Sequence, residues 1–135
     1  MRGPTAKNGS DYRGVTAILA REARPGDVIV YESRTRQLRA GLDHYLRDTP
    51  GRPRDVLVAR SAAEAGELRA EEYPNPWTRL RGTARVWLLV YGRHADPTTR
   101  RRDLRPALRS EYRKSQVWYV NRATLALYVR RDAAA

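Results

Sequence analysis

The chain has 135 residues, a formal net charge of +12 and no cysteine. That length suits one domain with a substantial core and is short for two. The lack of cysteine excludes disulfides, thiolate metal sites and a cysteine nucleophile, and it leaves the redox compartment open. The longest apolar runs, such as residues 86–91, fall far short of the roughly 20 residues that a membrane-spanning helix needs.

The basic residues are nearly all arginine, since only Lys7 and Lys114 of the 27 are lysine. Such a surface attracts phosphate groups, including those of nucleic acid. The arginines are spread through every segment, however, and a composition rich in arginine and alanine is also typical of a GC-rich genome. The even spread therefore favours ordinary solvated arginines over a nucleic-acid interface.

Three ranges divide the chain. Residues 1–10 predict a flexible leading segment, residues 11–131 a single α/β domain, and residues 132–135 a short tail. The leading segment lacks the apolar core of roughly 7 to 15 residues that a secretory signal requires. Met1 is therefore expected to begin either a cytosolic protein or an excised fragment.

The domain opens with a predicted helix, a stop and a buried strand. Apolar residues recur on one helical face at Tyr12, Val15, Ile18, Leu19 and Ala23. Pro25 and Gly26 cannot continue the helix. The unbroken apolar run 28–31 suits a strand that is covered on both faces, as in a parallel sheet.

The middle of the chain repeats this alternation. Residues 34–47 predict a second covering helix, and residues 55–59 predict a strand that is the parallel neighbour of 28–31, which makes a βαβ unit. Ser61 opens a third helix that fades near residues 71–74. Residues 75–82 predict a connecting loop.

The last third predicts the sheet centre, one helix and a hairpin. Residues 85–91 are the most apolar strand and are placed at the centre of the sheet. Asp96 and Pro97 suit the start of a helix that runs to about residue 112, which Pro106 kinks or restarts. Residues 116–130 alternate as an antiparallel hairpin. The chain thus predicts a three-layer, Rossmann-like α/β sandwich with a mixed sheet of about five strands.

Sequence motifs for dinucleotide binding, for a P-loop and for a hydrolase nucleophile elbow are missing from the chain. His44 and His94 are far apart, and neither has a partner at metal-ligand spacing. We therefore expect no metal and no cofactor, and we assign no catalytic residue.

In an open parallel sheet, ligands bind beyond the carboxyl ends of the strands. The residues at these positions are Glu32, Ser33, Arg34, Arg60, Ser61, Arg93 and His94. Three arginines beside two helix starts suit a phosphate or a sugar phosphate. The alternative is that charged residues simply leave the core at strand ends.

Two further features are candidates for surface contacts. Trp77 lies in the predicted loop and is a candidate for stacking on bases or sugars. The arginines at residues 100–102 lie on the predicted first turns of a helix, where the dipole disfavours cations. This position hints at an anionic partner, although a solvated face is the alternative.

Four short segments carry a family resemblance: Asp11-Tyr-Arg-Gly, Ala-Arg-Pro-Gly-Asp-Val-Ile-Val-Tyr, Arg85-Val-Trp-Leu-Leu-Val and a final Leu-Ala-Leu-Tyr-Val-Arg. In this order, over roughly residues 11–130, the chain resembles the soluble C-terminal domain of actinobacterial membrane mannosyltransferases and related GT-C glycosyltransferases.

The resemblance implies an extracytoplasmic domain of an integral membrane enzyme that transfers a sugar from a polyprenyl-phosphate donor. The catalytic acid of that family lies between membrane helices, so no catalytic residue carries over and the isolated domain is expected to be inactive. The implied partners are the membrane part of the same polypeptide and polyprenyl phosphate, glycan or anionic lipid headgroups. The alternative is a cytosolic α/β module that binds nucleic acid or a nucleotide through its arginines.

Overall fold

The computed structural model describes residues 12–32, 53–55, 57–60, 71–72, 76–120 and 122–131. In chain order its elements are helix α1 (Tyr12–Glu22), strands β1 (Val28–Tyr31), β2 (Val58–Arg60) and β3 (Glu71–Glu72), helix α2 (Pro76–Leu80), strand β4 (Arg85–Tyr91), a 3-10 helix (Pro97–Arg100), helix α3 (Arg105–Ser110) and strands β5 (Tyr112–Val120) and β6 (Ala123–Arg130). The predicted helix at 34–47 and most of the helix that begins at Ser61 lie outside the described residues.

The main sheet is mixed and open, with the strand order β1-β4-β6-β5. β1 pairs in parallel with β4, and β6 pairs antiparallel with both β4 and β5. The α/β class, the internal position of β4 and the terminal hairpin are therefore confirmed. β5 forms one edge of this sheet, and its residues 113–116 are exposed.

The expected five-stranded, Rossmann-like sandwich is not confirmed. β2 pairs antiparallel with β3 in a separate two-stranded sheet instead of extending the main one. Among the residues that the structure describes, the segment before β2 meets β1 at one parallel bridge, between Val28 and Arg54. The Asp55 carboxylate then accepts a hydrogen bond from the Leu57 amide at 3.3 Å, a local turn that accompanies the departure of the chain from β1.

Alternate side chains of the main sheet enter two separate apolar clusters, one on each face. The first cluster packs against α1 and contains Val15, Ile18, Leu19, Ile29, Tyr31, Trp87, Leu89, Ala123, Leu125, Leu127 and Val129. The second packs against α2 and α3 and contains Val28, Val30, Leu57, Leu80, Val86, Leu88, Val90, Leu104, Leu108, Tyr112, Ala126 and Tyr128. Burial on both faces explains why β1 and β4 are unbroken apolar runs.

The predicted stop after α1 is confirmed. Gly26 has a φ of 91°, a left-handed conformation that favours glycine, and the Asp27 amide donates to the Arg24 carbonyl at 3.0 Å. The predicted helix from Asp96 to about residue 112 is wrong in its length. It divides into the 3-10 helix and α3, Pro106 lies in the first turn of α3, and Tyr112 instead begins β5. The predicted loop at 75–82 contains the short helix α2.

One buried carboxylate joins α1, β1 and β4. Asp27 is 3% exposed, and its carboxylate accepts hydrogen bonds from the Arg85 guanidinium at 3.0 Å and from the Trp87 indole at 2.8 Å. The Arg24 amide also donates to it at 3.0 Å. Arg85 donates in addition to the Glu22 carbonyl at 2.9 Å, at the end of α1. We call Asp27, Arg85 and Trp87 the Asp27 anchor.

We expect Asp27→Asn to lower the free energy of unfolding by about 3 kcal/mol, because it leaves Arg85 without its counter-charge in a largely buried position. Urea denaturation of both proteins measures this difference.

The matched control is Glu22→Gln, which removes a carboxylate whose ion pair with Arg21 is exposed, so its effect should stay below about 1 kcal/mol. If the free energy of unfolding falls equally in the two variants, the Asp27 anchor stabilises the fold no more than an exposed ion pair does.

Candidate functional site

The parallel pairing of β1 and β4 brings Glu32 beside the end of β4, as expected for strand-end residues. Glu32 is 5% exposed, and its carboxylate accepts a hydrogen bond from the Tyr91 amide at 2.7 Å. Its other oxygen pairs with the Arg100 guanidinium at 2.5 Å. The pKa of Arg100 is raised by this hydrogen bond and by the charge of Glu32. Glu32 therefore ties β1, β4 and the 3-10 helix together.

Arg93 and His94 lie just beyond β4 at the same edge and also make internal contacts. The Arg93 guanidinium lies 3.9 Å from the centre of the Tyr119 ring, a cation–π arrangement. The His94 amide donates to the Thr124 hydroxyl at 3.0 Å, and its Nε2 lies 3.0 Å from the Tyr91 carbonyl. Arg93 is exposed and remains accessible to a ligand.

Of the remaining strand-end candidates, Ser33, Arg34 and Ser61 lie outside the described residues. Arg60 ends β2, which belongs to the separate two-stranded sheet. Glu32, Arg93 and His94 are thus the part of the expected set that the structure places together.

The arginines at 100–102 differ in their surroundings. Arg100 pairs with Glu32, and Arg101 is 1% exposed and donates to the Tyr31 carbonyl at 2.8 Å. Arg101 also pairs with Asp103 at 2.9 Å, whereas Arg102 is exposed. Two of these three cations therefore hold the 3-10 segment on β1, which explains their presence without an external partner.

Trp77 is partly buried rather than fully exposed. Its ring meets the Tyr112 ring edge-on, with 6.4 Å between the ring centres, and it packs against the second apolar cluster. Trp87 is fully buried, in agreement with its expected core position, and it stacks on Trp118 at 5.4 Å. The stacking role of Trp77 stays a prediction.

A basic pocket of about 350 Å³ lies between α3, the turn before the 3-10 helix and strands β5 and β6. The sequence alone does not predict this pocket. Its lining residues are Asp96, Thr98, Leu108, Arg109, Tyr112, Arg113, Lys114, Tyr128 and Arg131. Four of them are basic and one is acidic, so the pocket concentrates positive charge. The pocket is hard to recognise in the sequence, because its lining residues come from four separate short segments.

Tyr128 gives the basic pocket an unpartnered polar group. The residue is 3% exposed, and its hydroxyl has no hydrogen-bond partner among the described residues. Burial, with a smaller effect from the charge of Asp96, raises the pKa of Tyr128 well above its usual value, so the hydroxyl stays protonated at neutral pH. It can therefore donate a hydrogen bond to a ligand.

Asp96 stays charged beside this pocket. Burial alone would raise its pKa, but hydrogen bonds from Thr98 and Arg105, with the charge of Arg105, outweigh that effect and lower the pKa below its usual value of 3.8. The Thr98 hydroxyl donates to one carboxylate oxygen at 2.5 Å, and Arg105 lies 3.4 Å from the other. Asp96 is therefore held by the fold as an anion.

Among the described residues, no group of three or more histidine, cysteine or acidic side chains is placed to hold a metal ion. No described helix is long and apolar enough to cross a membrane. Comparison of the chain with protein-family models, with curated proteins and with solved structures finds no match.

We expect the charge of Asp96 to stabilise the fold above about pH 4 and to lose that effect as the pH falls through its lowered folded pKa. Asp96→Asn should thus be slightly less stable than wild type at pH 6, by under about 1 kcal/mol because the carboxylate is partly exposed, and equal to it at low pH. Urea midpoints across this pH range measure the effect.

Thr98→Val is the companion variant, because it removes one hydrogen bond that holds the pKa of Asp96 down. Its acid transition should move to higher pH. A stability difference between Asp96→Asn and wild type that does not vary with pH would contradict this account.

Proposed function

We propose that this chain is the extracytoplasmic C-terminal domain of a polytopic membrane glycosyltransferase of the mannosyltransferase type, which uses a polyprenyl-phosphate sugar donor. In this proposal the domain is accessory to the catalytic membrane part. The observation that carries the proposal is the Asp27 anchor, because it unites two of the segments on which the family resemblance rests.

The anchor gives these two segments a common physical role. Asp27 ends the Arg-Pro-Gly-Asp segment, and Arg85 and Trp87 belong to Arg-Val-Trp-Leu-Leu-Val, 58 and 60 residues later in the chain. Two separate segments of the resemblance thus contribute to one hydrogen-bonded cluster in the structure. A chance likeness of short apolar segments would not require their polar residues to meet.

The same contacts support an accessory role. The side chains of Asp27, Arg85 and Trp87 are directed into the fold, where they hold α1, β1 and β4 together. Their role is therefore to stabilise the domain. The chemistry of sugar transfer is assigned, in this proposal, to the membrane part.

The proposal includes a more detailed fold for the domain. This fold is a three-layer, Rossmann-like sandwich of about five strands, with residues 34–47 as the second covering helix. The parallel bridge between Val28 and Arg54 supports it, since the Ile29 amide donates to the Arg54 carbonyl at 2.9 Å and the Arg54 amide to the Asp27 carbonyl at 3.0 Å. This contact supports the proposal of a parallel neighbour on the outer edge of β1.

A second candidate function is a cytosolic module that binds nucleic acid or a nucleotide. The basic pocket favours it, because clustered cations attract any phosphate. Affinity for nonspecific DNA that survives about 0.15 M salt would support this candidate.

An antibody raised against the 135-residue chain tests the main proposal in cells of the source organism. We expect it to detect a polypeptide much larger than 15.5 kDa in the membrane fraction, which detergent but not alkaline carbonate releases. In spheroplasts, external protease should destroy the epitope, because the domain lies outside the cytoplasm.

A cytosolic marker protein that stays intact in the same spheroplasts provides the control for lysis. Detection of a 15.5 kDa protein in the cytosolic fraction would overturn the proposal and leave the second candidate.

A further inference from the structure

We infer that the basic pocket binds a small phosphomonoester, either a soluble sugar phosphate or the terminal phosphate of a lipid. This inference adds a phosphate site to the proposed function. It rests on that function only for which phosphomonoester would reach the pocket. The pocket itself is defined by its geometry, its charge and one buried hydroxyl that has no hydrogen-bond partner within the described part of the chain.

The charge of the lining selects an anion. Arg109, Lys114 and Arg131 line the pocket, and Arg131 donates to the Arg109 carbonyl at 3.1 Å, which draws these two residues together. Arg113 pairs in register with Val129, whose side chain lies on the α1 face, so we do not count its guanidinium among the ligand cations. Three cations remain against one carboxylate.

That carboxylate does not cancel the positive charge, because Asp96 is already engaged. Thr98 donates to it twice, through its amide and its hydroxyl, and Arg105 lies near its second oxygen. The second oxygen retains the capacity to accept a hydroxyl proton. A ligand could thus place an anionic group beside the cations and donate a hydrogen bond from a sugar hydroxyl to Asp96.

The Tyr128 hydroxyl is the second observation that points to a ligand. A buried hydroxyl without a partner costs free energy, which a ligand oxygen would recover. Lys114 is the register partner of Tyr128 on β5, so the two side chains share a face of the sheet. Lys114 is exposed and bonds only to the Ala95 carbonyl at 2.7 Å among the described residues, and it can turn from there to a phosphate.

The size of the pocket also limits the ligand. A volume of about 350 Å³ lies at the lower end of the range for small-molecule sites, which is about 300 to 1,000 Å³. It exceeds what a phosphate ion alone would fill and leaves room for a hexose. Leu108 and Tyr112 provide apolar surface beside the cations.

Isothermal titration of the 135-residue chain with glucose 1-phosphate tests the inference. We expect Arg109→Ala combined with Arg131→Ala to weaken binding about tenfold or more, since each change removes a charge-assisted contact. The matched control is Arg81→Ala combined with Arg102→Ala, which removes the same charge from two exposed positions outside the pocket and should stay within about twofold. Equal weakening in both double variants would overturn the site.

Tyr128→Phe tests the hydroxyl separately from the charge. It should weaken binding several-fold while the free energy of unfolding stays unchanged or rises, because it removes an unsatisfied polar atom without changing the packing. Wild-type affinity in Tyr128→Phe would overturn the role of this hydroxyl.

Two further titrations identify the source of the phosphate. Binding to phosphatidylcholine vesicles that contain phosphatidic acid, but not to those with phosphatidylglycerol, would indicate a lipid phosphomonoester. Tighter binding to single-stranded DNA than to either phosphomonoester would overturn the inference. These measurements use the isolated chain and therefore test ligand binding separately from membrane location. The pocket could fail to bind a phosphomonoester in a membrane protein, or bind one in a cytosolic protein.

Discussion

The hydrogen-bonded ion pair between Asp27 and Arg85 is the interaction on which the rest of this fold depends. It fixes the end of α1 against the first residue of β4, and through the Trp87 indole it reaches into the apolar cluster beneath α1. An ion pair in this position is costly to form, because both groups lose water. Its role is geometric as well, since the Arg24 amide, the Arg85 guanidinium and the Trp87 indole all donate to the one Asp27 carboxylate.

β1 is only four residues long, and polar contacts hold it at both ends. Asp27 precedes it, and Glu32 follows it with bonds to the Tyr91 amide and to Arg100. Arg101 adds a bond to the Tyr31 carbonyl. A short strand gains little from its ladder of hydrogen bonds, so these flanking contacts supply register as well as stability. This arrangement also explains why charged residues at strand ends need not mark a ligand site.

The sequence predicted the elements whose patterns are local and missed those decided by distant partners. Helix α1, which stops before Pro25, the buried run at 28–31 and the central strand at 85–91 follow from spacing and hydropathy. The role of Asp27 could not be predicted from the sequence, because its side-chain partners are about 60 residues away along the chain. The basic pocket was missed for the same reason: α3, β5 and β6 meet there only after folding, and scattered arginines reveal no pattern beforehand.

The edge position of β5 has a consequence for how copies of this protein behave together. An edge strand presents unpaired backbone groups that can join another sheet, and aggregation often begins there. Arg113 and Lys114 are exposed on this strand, so two copies that approach edge to edge would bring like charges together. The charge of Arg113 and Lys114 thus opposes edge-to-edge association of two copies. Polyanions or high salt would neutralise or screen these cations and would therefore favour aggregation.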